Sequence, residues 1–333
     1  MRRQGDLWNR IWTRDNLREA FRKAALGKRH HIEVRHFAAQ LEAEVDRLCR
    51  AALAGELSWG VCRTFVIHDP KRRVITAPCF VERVLHHALM NVCEPVFDRR
   101  QVFDSYACRR GKGRVRALAR AAGFARSNPW FFQFDIRKYF ESIDHELLHQ
   151  ALRRVFREAS LLSVWKSILA AGAVRPGVGL PIGSLTSQHF ANHFLARFDH
   201  WITRQPGIAA YVRYMDDMVV WTAHSPARTR LRLQVECWLA DELRLTLKPT
   251  WQINRTAHGM NFLGCRVFPD QTVLNSRSRR RFLASLRRLE WLHRQGRLPE
   301  AELQRRATSL SAFARAAGDD DVSWRRRVLD FDW

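Results

Sequence analysis

Apolar residues recur at helical spacing early in the chain, at Phe37, Leu41, Val45 and Leu48, and Gly55 stands where such a helix would stop. Leu7, Trp8, Ile11 and Trp12 mark an earlier short helix, so residues 1–58 read as a helical N-terminal extension. The period then changes. Phe65-Val66-Ile67 and Val74-Ile75-Thr76 are β-rich runs separated by Asp69-Pro70-Lys71-Arg72-Arg73, which predicts a hairpin with a basic turn. Trp130 to Phe134 is a continuous apolar run of strand length that ends on Asp135. Helical periodicity returns at Leu147, Leu148, Ala151, Leu152, Val155 and Phe156, with Asp144 placed as the N-cap. Tyr211 to Met215 and Met218 to Trp221 are two short β-rich runs flanking Asp216-Asp217, a hairpin with an acidic tip. Beyond Asp270 the pattern is helical and basic: Phe282, Leu286, Leu289 and Leu292 share one face, while Arg279, Arg280, Arg287, Arg288 and Arg294 lie elsewhere. Pro299 opens a second helix carrying Leu303, Ala307, Leu310 and Ala314. The expected organisation is α+β, with a mixed region over residues 59–270 and a small helical lobe over 271–333.

Composition narrows the partners. At 333 residues and 46% hydrophobic content the chain can bury a large core. Its 57 Lys and Arg against 33 Asp and Glu give a formal charge of +24, more than solubility requires, and spread along the whole sequence rather than on one amphipathic helix. A polyanionic partner, nucleic acid before membrane, follows. The seven cysteines (Cys49, Cys62, Cys79, Cys93, Cys108, Cys237, Cys265) form no C-x-x-C pair and read as reduced, mostly packed thiols. Gln4, Gly5, Asp6 and Asn9 stand where a signal peptide would be apolar, and no run reaches a membrane-spanning length, so a cytoplasmic protein is expected.

Adjacent carboxylates on a tight turn repel each other, and one pKa rises unless a cation or solvent compensates. An Asp-Asp pair in a surface hairpin is most often just a solvated turn. Here the flanking residues are apolar enough to be buried, and buried strands with charged tips usually frame a site. Oxygen donors with few nitrogen or sulfur alternatives nearby suit Mg²⁺. Two such ions, roughly 4 Å apart, can activate an attacking 3′-hydroxyl and stabilise departing pyrophosphate. Asp135, at a second strand end, would bridge them.

Tyr214-Met215-Asp216-Asp217 resembles the Y-x-D-D box of reverse transcriptases, and other blocks follow in that family's order. Phe134-Asp135-Ile136-Arg137-Lys138-Tyr139-Phe140 resembles the motif that supplies the other metal aspartate, with Phe140 at the position that excludes a ribose 2′-hydroxyl. Leu247-Lys248 resembles the later lysine motif and Asn261-Phe262-Leu263-Gly264 the primer grip. Arg73 corresponds to the residues that hold the incoming triphosphate, and Tyr106 to Gly113, with Arg109 and Lys112, fills the place of a template-contacting loop. The matches run from about residue 60 to 270, and six ordered blocks are far more specific than any one. The resemblance implies a right-hand polymerase fold with fingers, palm and helical thumb. It implies an RNA-directed DNA polymerase acting on template RNA, a cDNA or primer strand and dNTPs. Two Mg²⁺ ions, with Mn²⁺ as substitute, would be held at Asp135, Ile136, Asp216 and Asp217. Tyr214, Met215, Phe262, Leu263 and Gly264 would meet primer or template, and Arg73, Phe140, Ile182, Gln188 and Lys248 the nucleotide. Lys248 would protonate pyrophosphate, or serve only as a phosphate contact or surface lysine; Arg73 would hold triphosphate, or only screen backbone charge.

Intron-encoded and retron-like members carry Q-G-x-x-x-S-P where this chain has Ile182-Gly183-Ser184-Leu185-Thr186-Ser187-Gln188. That departure, with Val178-Gly179-Leu180-Pro181 before it, resembles the enzymes of diversity-generating retroelements, bacterial or phage-encoded, which copy a template-repeat RNA with errors at its adenines. An apolar Ile182 cannot donate the hydrogen bond of a glutamine, at a cost to base discrimination of about 1 kcal/mol, roughly fivefold to tenfold. The alternative is that Ile182 only packs. The resemblance further implies a ribonucleoprotein with a small, basic, ring-forming accessory variability protein. A group II intron-like, retron or phage-defence reverse transcriptase is the alternative within the family; outside it stands a non-catalytic nucleic-acid-binding protein on a polymerase fold. His145-Glu146-Leu147-Leu148-His149 fits the H-E-x-x-H zinc-protease pattern, but it begins a helix within a block already accounted for, where a solvated face suffices.

Overall fold

The computed structural model describes residues 3–68, 72–223 and 228–316. The chain divides into two compact units interleaved in sequence: Met1–Phe103, Ile136–Trp201 and Gln234–Leu247 form one, and Asp104–Asp135, Ile202–Leu233 and Lys248–Trp333 the other.

In the first unit the N-terminal pattern builds four helices, Trp8–Ile11, Arg14–Ala25, Ile32–Ala39 and Leu41–Ala54. The single helix expected through Phe37 and Leu48 is broken at Gln40, whose φ of −123° and ψ of 30° leave the helical basin. Gly55 ends the second segment at φ 76°, a left-handed conformation that suits glycine at a helix C-terminus. Strands β1 (Cys62–His68) and β2 (Arg72–Pro78) form the expected antiparallel hairpin, with Val66 opposite Val74. Residues 69–71 of its turn lie outside the described residues. Arg72 and Arg73, expected in that turn, are instead part of β2, because pairing continues through Ile67–Arg73 to His68–Arg72. Helix Phe80–Asp98 follows, buried along Val84, Leu85, Ala88, Leu89 and Cys93. Helix His145–Arg153 starts on Asp144, whose Oδ1 accepts from the Leu147 amide at 3.0 Å. A short helix Tyr139–Ser142 precedes it, and helices Ala159–Ala171 and Leu185–Ile202 follow.

The second unit is built on a four-stranded antiparallel sheet in the order β4-β5-β3-β6, where β3 is Trp130–Asp135, β4 Ile208–Tyr214, β5 Asp217–Thr222 and β6 Gln252–Arg255. Side chains alternate between its faces. Phe131, Val212, Val219 and Trp221 pack with Ala117, Leu118, Ala121 and Ala125 of helix Arg114–Ser127, whose alanines let the backbone come close. Phe132, Phe134, Met218 and Val220 are buried from the opposite face. Burying one large apolar side chain contributes about 1.5–3 kcal/mol, so the sheet is anchored on both sides. A second, three-stranded sheet, β7 (Met260–Phe262), β8 (Cys265–Val267) and β9 (Thr272–Leu274), adds Met260, Phe262 and Val267 to the same core as Phe131. Helix Ser276–Arg294 begins on Asn275, which accepts from the Ser278 amide at 2.9 Å; it buries Phe282 and Leu289. The Pro299 carbonyl accepts from Glu302 and Leu303, opening helix Glu300–Ala316 as expected. The Ala314 side chain and residues 317–333 lie outside the described residues. Among those described, no helix is long and apolar enough to cross a membrane.

Candidate active site

Strand register brings the carboxylates together. Asp135, the last residue of β3, is paired directly with Asp217, the first of β5, and Asp217 is also paired with Tyr214 of β4. The β4–β5 turn therefore has Met215 and Asp216 at its centre, not the Asp216-Asp217 pair expected from the sequence. Met215 has φ +58°, a left-handed conformation that costs a non-glycine residue about 1–2 kcal/mol. Such a residue persists only where its surroundings fix it. Arg213, fully buried, does so: its Nη1 donates to the Met215 carbonyl at 3.0 Å. Its own backbone is held on both sides, the amide by the Asp104 carbonyl and the carbonyl by the Tyr106 amide, each at 2.9 Å.

Like charges opposed across two strands are unfavourable, and the carboxyls register it. Burial, then the neighbouring Asp135, pushes Asp216 up to about 7, with the Lys248 charge opposing. Asp217 is likewise pushed up to about 7, mainly by burial and further by Asp135 and Asp216, against a hydrogen bond from Gln133 and the charge of Lys248. Gln133 Nε2 donates to Asp217 Oδ1 at 3.1 Å. Lys248 Nζ donates to Asp135 Oδ2, whereas Asp135 Oδ1 is buried and has no hydrogen-bond partner. Among the described residues, no three His, Cys, Asp or Glu side chains are gathered into a ready metal cage. Mg²⁺ is usually held through one or two carboxylates and completed by water and substrate phosphates. An unpartnered buried carboxylate oxygen beside two carboxyls driven up in pKa is a donor set that such an ion fits.

The other expected positions are distributed through both units. In the second unit, Phe262 and Cys265 close a two-residue turn whose central residues, Leu263 at φ 48° and Gly264 at φ 81°, are both left-handed. Arg114, which sequence reading passed over, donates Nε to the Leu263 carbonyl at 2.8 Å. Arg109 Nη1 is tied to the Ser105 carbonyl at 2.8 Å, and Lys112 Nζ lies 4.7 Å from the centre of the Tyr106 ring. Tyr214 packs half-buried against the core. In the first unit, Ile136 is fully buried and bridged to Leu247, so an apolar side chain leaves only its carbonyl as a ligand. Phe140 is half-buried, 5.7 Å from Tyr139 ring to ring. Arg73 is exposed on β2, and three residues along, the Thr76 amide donates to the Ile182 carbonyl at 2.9 Å. Ile182 is half-buried, and Gln188 is exposed on helix Leu185–Ile202. His145, first of the H-E-x-x-H residues, has its ring nitrogen on the Gly179 carbonyl at 2.7 Å.

Known proteins bear on this arrangement. The sequence is 29% identical over 162 residues to the nuclear intron maturase 4, mitochondrial, of Arabidopsis thaliana, covering 45% of this chain and 20% of that protein. Over 312 residues it is 23% identical to Protein YkfC of Escherichia coli K12, covering 76% of this chain and 81% of the relative. Apo telomerase from Candida tropicalis superposes with a TM-score of 0.52 at 10% identity, over 70% of this chain and 52% of that one. Telomerase of the same species in complex with a TWJ fragment of telomeric RNA gives 0.50 at 10% identity, over 85% and 60%. The chain thus spans about a fifth of the maturase and little more than half of the telomerases, and the likeness to the latter is one of fold: a right-hand polymerase with fingers, palm and helical thumb. The sequence model described as reverse transcriptase (RNA-dependent DNA polymerase) matches residues 68–267, more than half of the chain and both strands of the acidic hairpin, and the chain therefore belongs to the reverse transcriptase family.

Proposed function

We propose that this chain is an active RNA-directed DNA polymerase in which Asp135, Asp216 and Asp217 hold two Mg²⁺ ions, Mn²⁺ substituting. The observation that carries this is the pairing of Asp135 with Asp217 beside the turn in which Met215 is left-handed, an arrangement that costs stability and that a bound cation would offset. When bound, the ions supply a more acidic 3′-hydroxyl and a stabilised pyrophosphate leaving group. The chain's residues do the rest. Arg73 meets the triphosphate with a guanidinium fork, Phe140 excludes the ribose 2′-hydroxyl, and Lys248 Nζ carries a proton for pyrophosphate. Ile182 and Gln188 contact the nucleotide and template. Tyr214, Met215, Phe262, Leu263, Gly264, Arg109 and Lys112 line the primer and template. We take residues 1–58 as the N-terminal extension, 59–270 as fingers and palm, and 271–333 as thumb. Primer extension on an RNA template tests the reading: activity in the wild type, abolished by Asp216→Ala, is expected. A chain that binds primer–template but never extends it is instead a non-catalytic binder on a polymerase fold.

The template is proposed to be the template-repeat RNA of a diversity-generating retroelement, copied with errors at adenines and within a ribonucleoprotein that includes a basic, ring-forming accessory protein. What supports this is the Ile182 to Gln188 block, docked through Ile182 on the strand that carries Arg73. Ile182→Gln is expected to lower misincorporation at template adenines about fivefold, and an unchanged error spectrum rejects it. The similarity to an intron maturase favours a second reading, an intron-type reverse transcriptase. Neighbouring DNA decides between them: a template repeat paired with a variable repeat belongs only to the first.

A further inference from the structure

Gln133 lies two residues before Asp135 on the same face of β3, and its amide is fully engaged. Nε2 donates to Asp217 Oδ1 at 3.1 Å and to the Asn261 carbonyl at 2.7 Å, while Oε1 accepts from Gln252 Nε2 at 2.8 Å. The three partners belong to β5, β7 and β6, so one side chain joins the central sheet to the strand that runs into the Phe262-Leu263-Gly264 turn. Gln252 stands directly opposite Gln133 across the β3–β6 ladder. The amide orientation is fixed by this set: flipping it would turn an oxygen toward two acceptors and a nitrogen toward a donor. Glutamate of the same length could only accept, and lysine could only donate.

Asp217 has two carboxylate oxygens. Gln133 takes one, which sets the plane of the group and leaves the other for a cation. The same nitrogen holds the backbone of β7, on which the expected primer grip depends. We infer that Gln133 is a positioning residue that sets the Asp217 carboxylate and strand β7 together, so that metal affinity and placement of the primer end change as one. This rests on the polymerase reading above. Groups that orient metal ligands typically change metal affinity by about 10–100-fold when removed.

The test uses the full chain with Gln133→Met, of similar length but without hydrogen-bonding groups, together with Gln252→Met and the double variant. Mn²⁺ binding is followed by the electron paramagnetic resonance of the free ion without nucleic acid; kcat, primer–template KM and melting temperature are measured alongside. Gln133→Met is expected to weaken Mn²⁺ binding about tenfold, to raise primer KM and lower kcat, and to move the melting temperature little. Gln252→Met should give a smaller change that adds nothing in the Gln133→Met background. Wild-type Mn²⁺ affinity and primer KM in Gln133→Met, or full additivity with Gln252→Met, overturns the inference. Should Gln133→Met fail to fold, Gln252→Met decides alone, and wild-type Mn²⁺ affinity there overturns it. A wild-type chain that does not extend primers strikes the polymerase reading instead, while the Mn²⁺ titration still decides the role of Gln133.

Discussion

Asp217 shows how a carboxylate set beside two others can oppose the fold that carries it. Its folded pKa is raised to about 7 by burial and by Asp135 and Asp216. A group raised in this way contributes stability that is complete below the unfolded carboxylate value, near 4, and lost as pH rises through the folded value. Metal-free protein should therefore lose stability between about pH 4 and 7. Asp217→Asn keeps an oxygen for Gln133 and removes the charge, so it should melt higher than wild type above pH 7, by roughly 1–2 °C for each 1 kcal/mol recovered, and no higher near pH 4. Primer extension should be lost. A melting difference that does not depend on pH would reject the electrostatic account. That Asp135, Asp216 and Asp217 lie together was legible in the sequence, because charges that end apolar β-runs are conspicuous. Gln133 was not. Inside Trp130 to Phe134 it reads as an ordinary interruption, and its meaning depends on Asn261, 128 residues away.

At the scale of elements, the β7–β8 turn makes the sharpest demand on one residue. Both central positions are left-handed, as tight two-residue hairpins with a right-handed strand twist require. Leu263 tolerates it because Arg114 holds its carbonyl, and Gly264 because it has no side chain: a Cβ there would lie 2.7 Å from Ser278 Oγ. Gly264→Ala should destabilise the protein by about 1–3 kcal/mol, seen as a lower urea midpoint, and should raise primer KM more than dNTP KM. Equal effects on both would separate this turn from the primer. Elements were legible where periodicity was clean, as in the acidic hairpin and helix Ser276–Arg294. Helix Phe80–Asp98 was missed because it is apolar over too much of its circumference to show one stripe, and Arg114–Ser127 because its buried face is mostly alanine between arginines. The acidic turn was misplaced by one residue, since Asp217 is drawn into β5 by pairing with both Tyr214 and Asp135, a constraint that exists only once the sheet has formed.

For the whole molecule the governing quantity is the charge of +24, which is long-ranged and needs no particular contact. Each phosphate neutralised by a Lys or Arg releases condensed counterions, and the slope of log K against log salt is about −0.9 per contact on B-DNA and about −0.7 on single strands. Primer–template binding measured from 50 to 200 mM salt should therefore weaken by about 10³–10⁵ if six to ten phosphates are held. Helix Ser276–Arg294 makes this specific. Arg281, Arg287 and Arg288 are exposed on helix Ser276–Arg294, whose buried Phe282 and Leu289 fix which way that face turns. Replacing the three with alanine should weaken binding almost equally for every primer–template sequence and make the slope shallower by up to about 0.9 for each residue that touches a phosphate. Primer extension at saturating primer–template should be retained, because none of the three is near the carboxylates in sequence or on the sheet that carries them. An unchanged slope would make this face merely solvated and would place the electrostatic grip on the remaining basic residues.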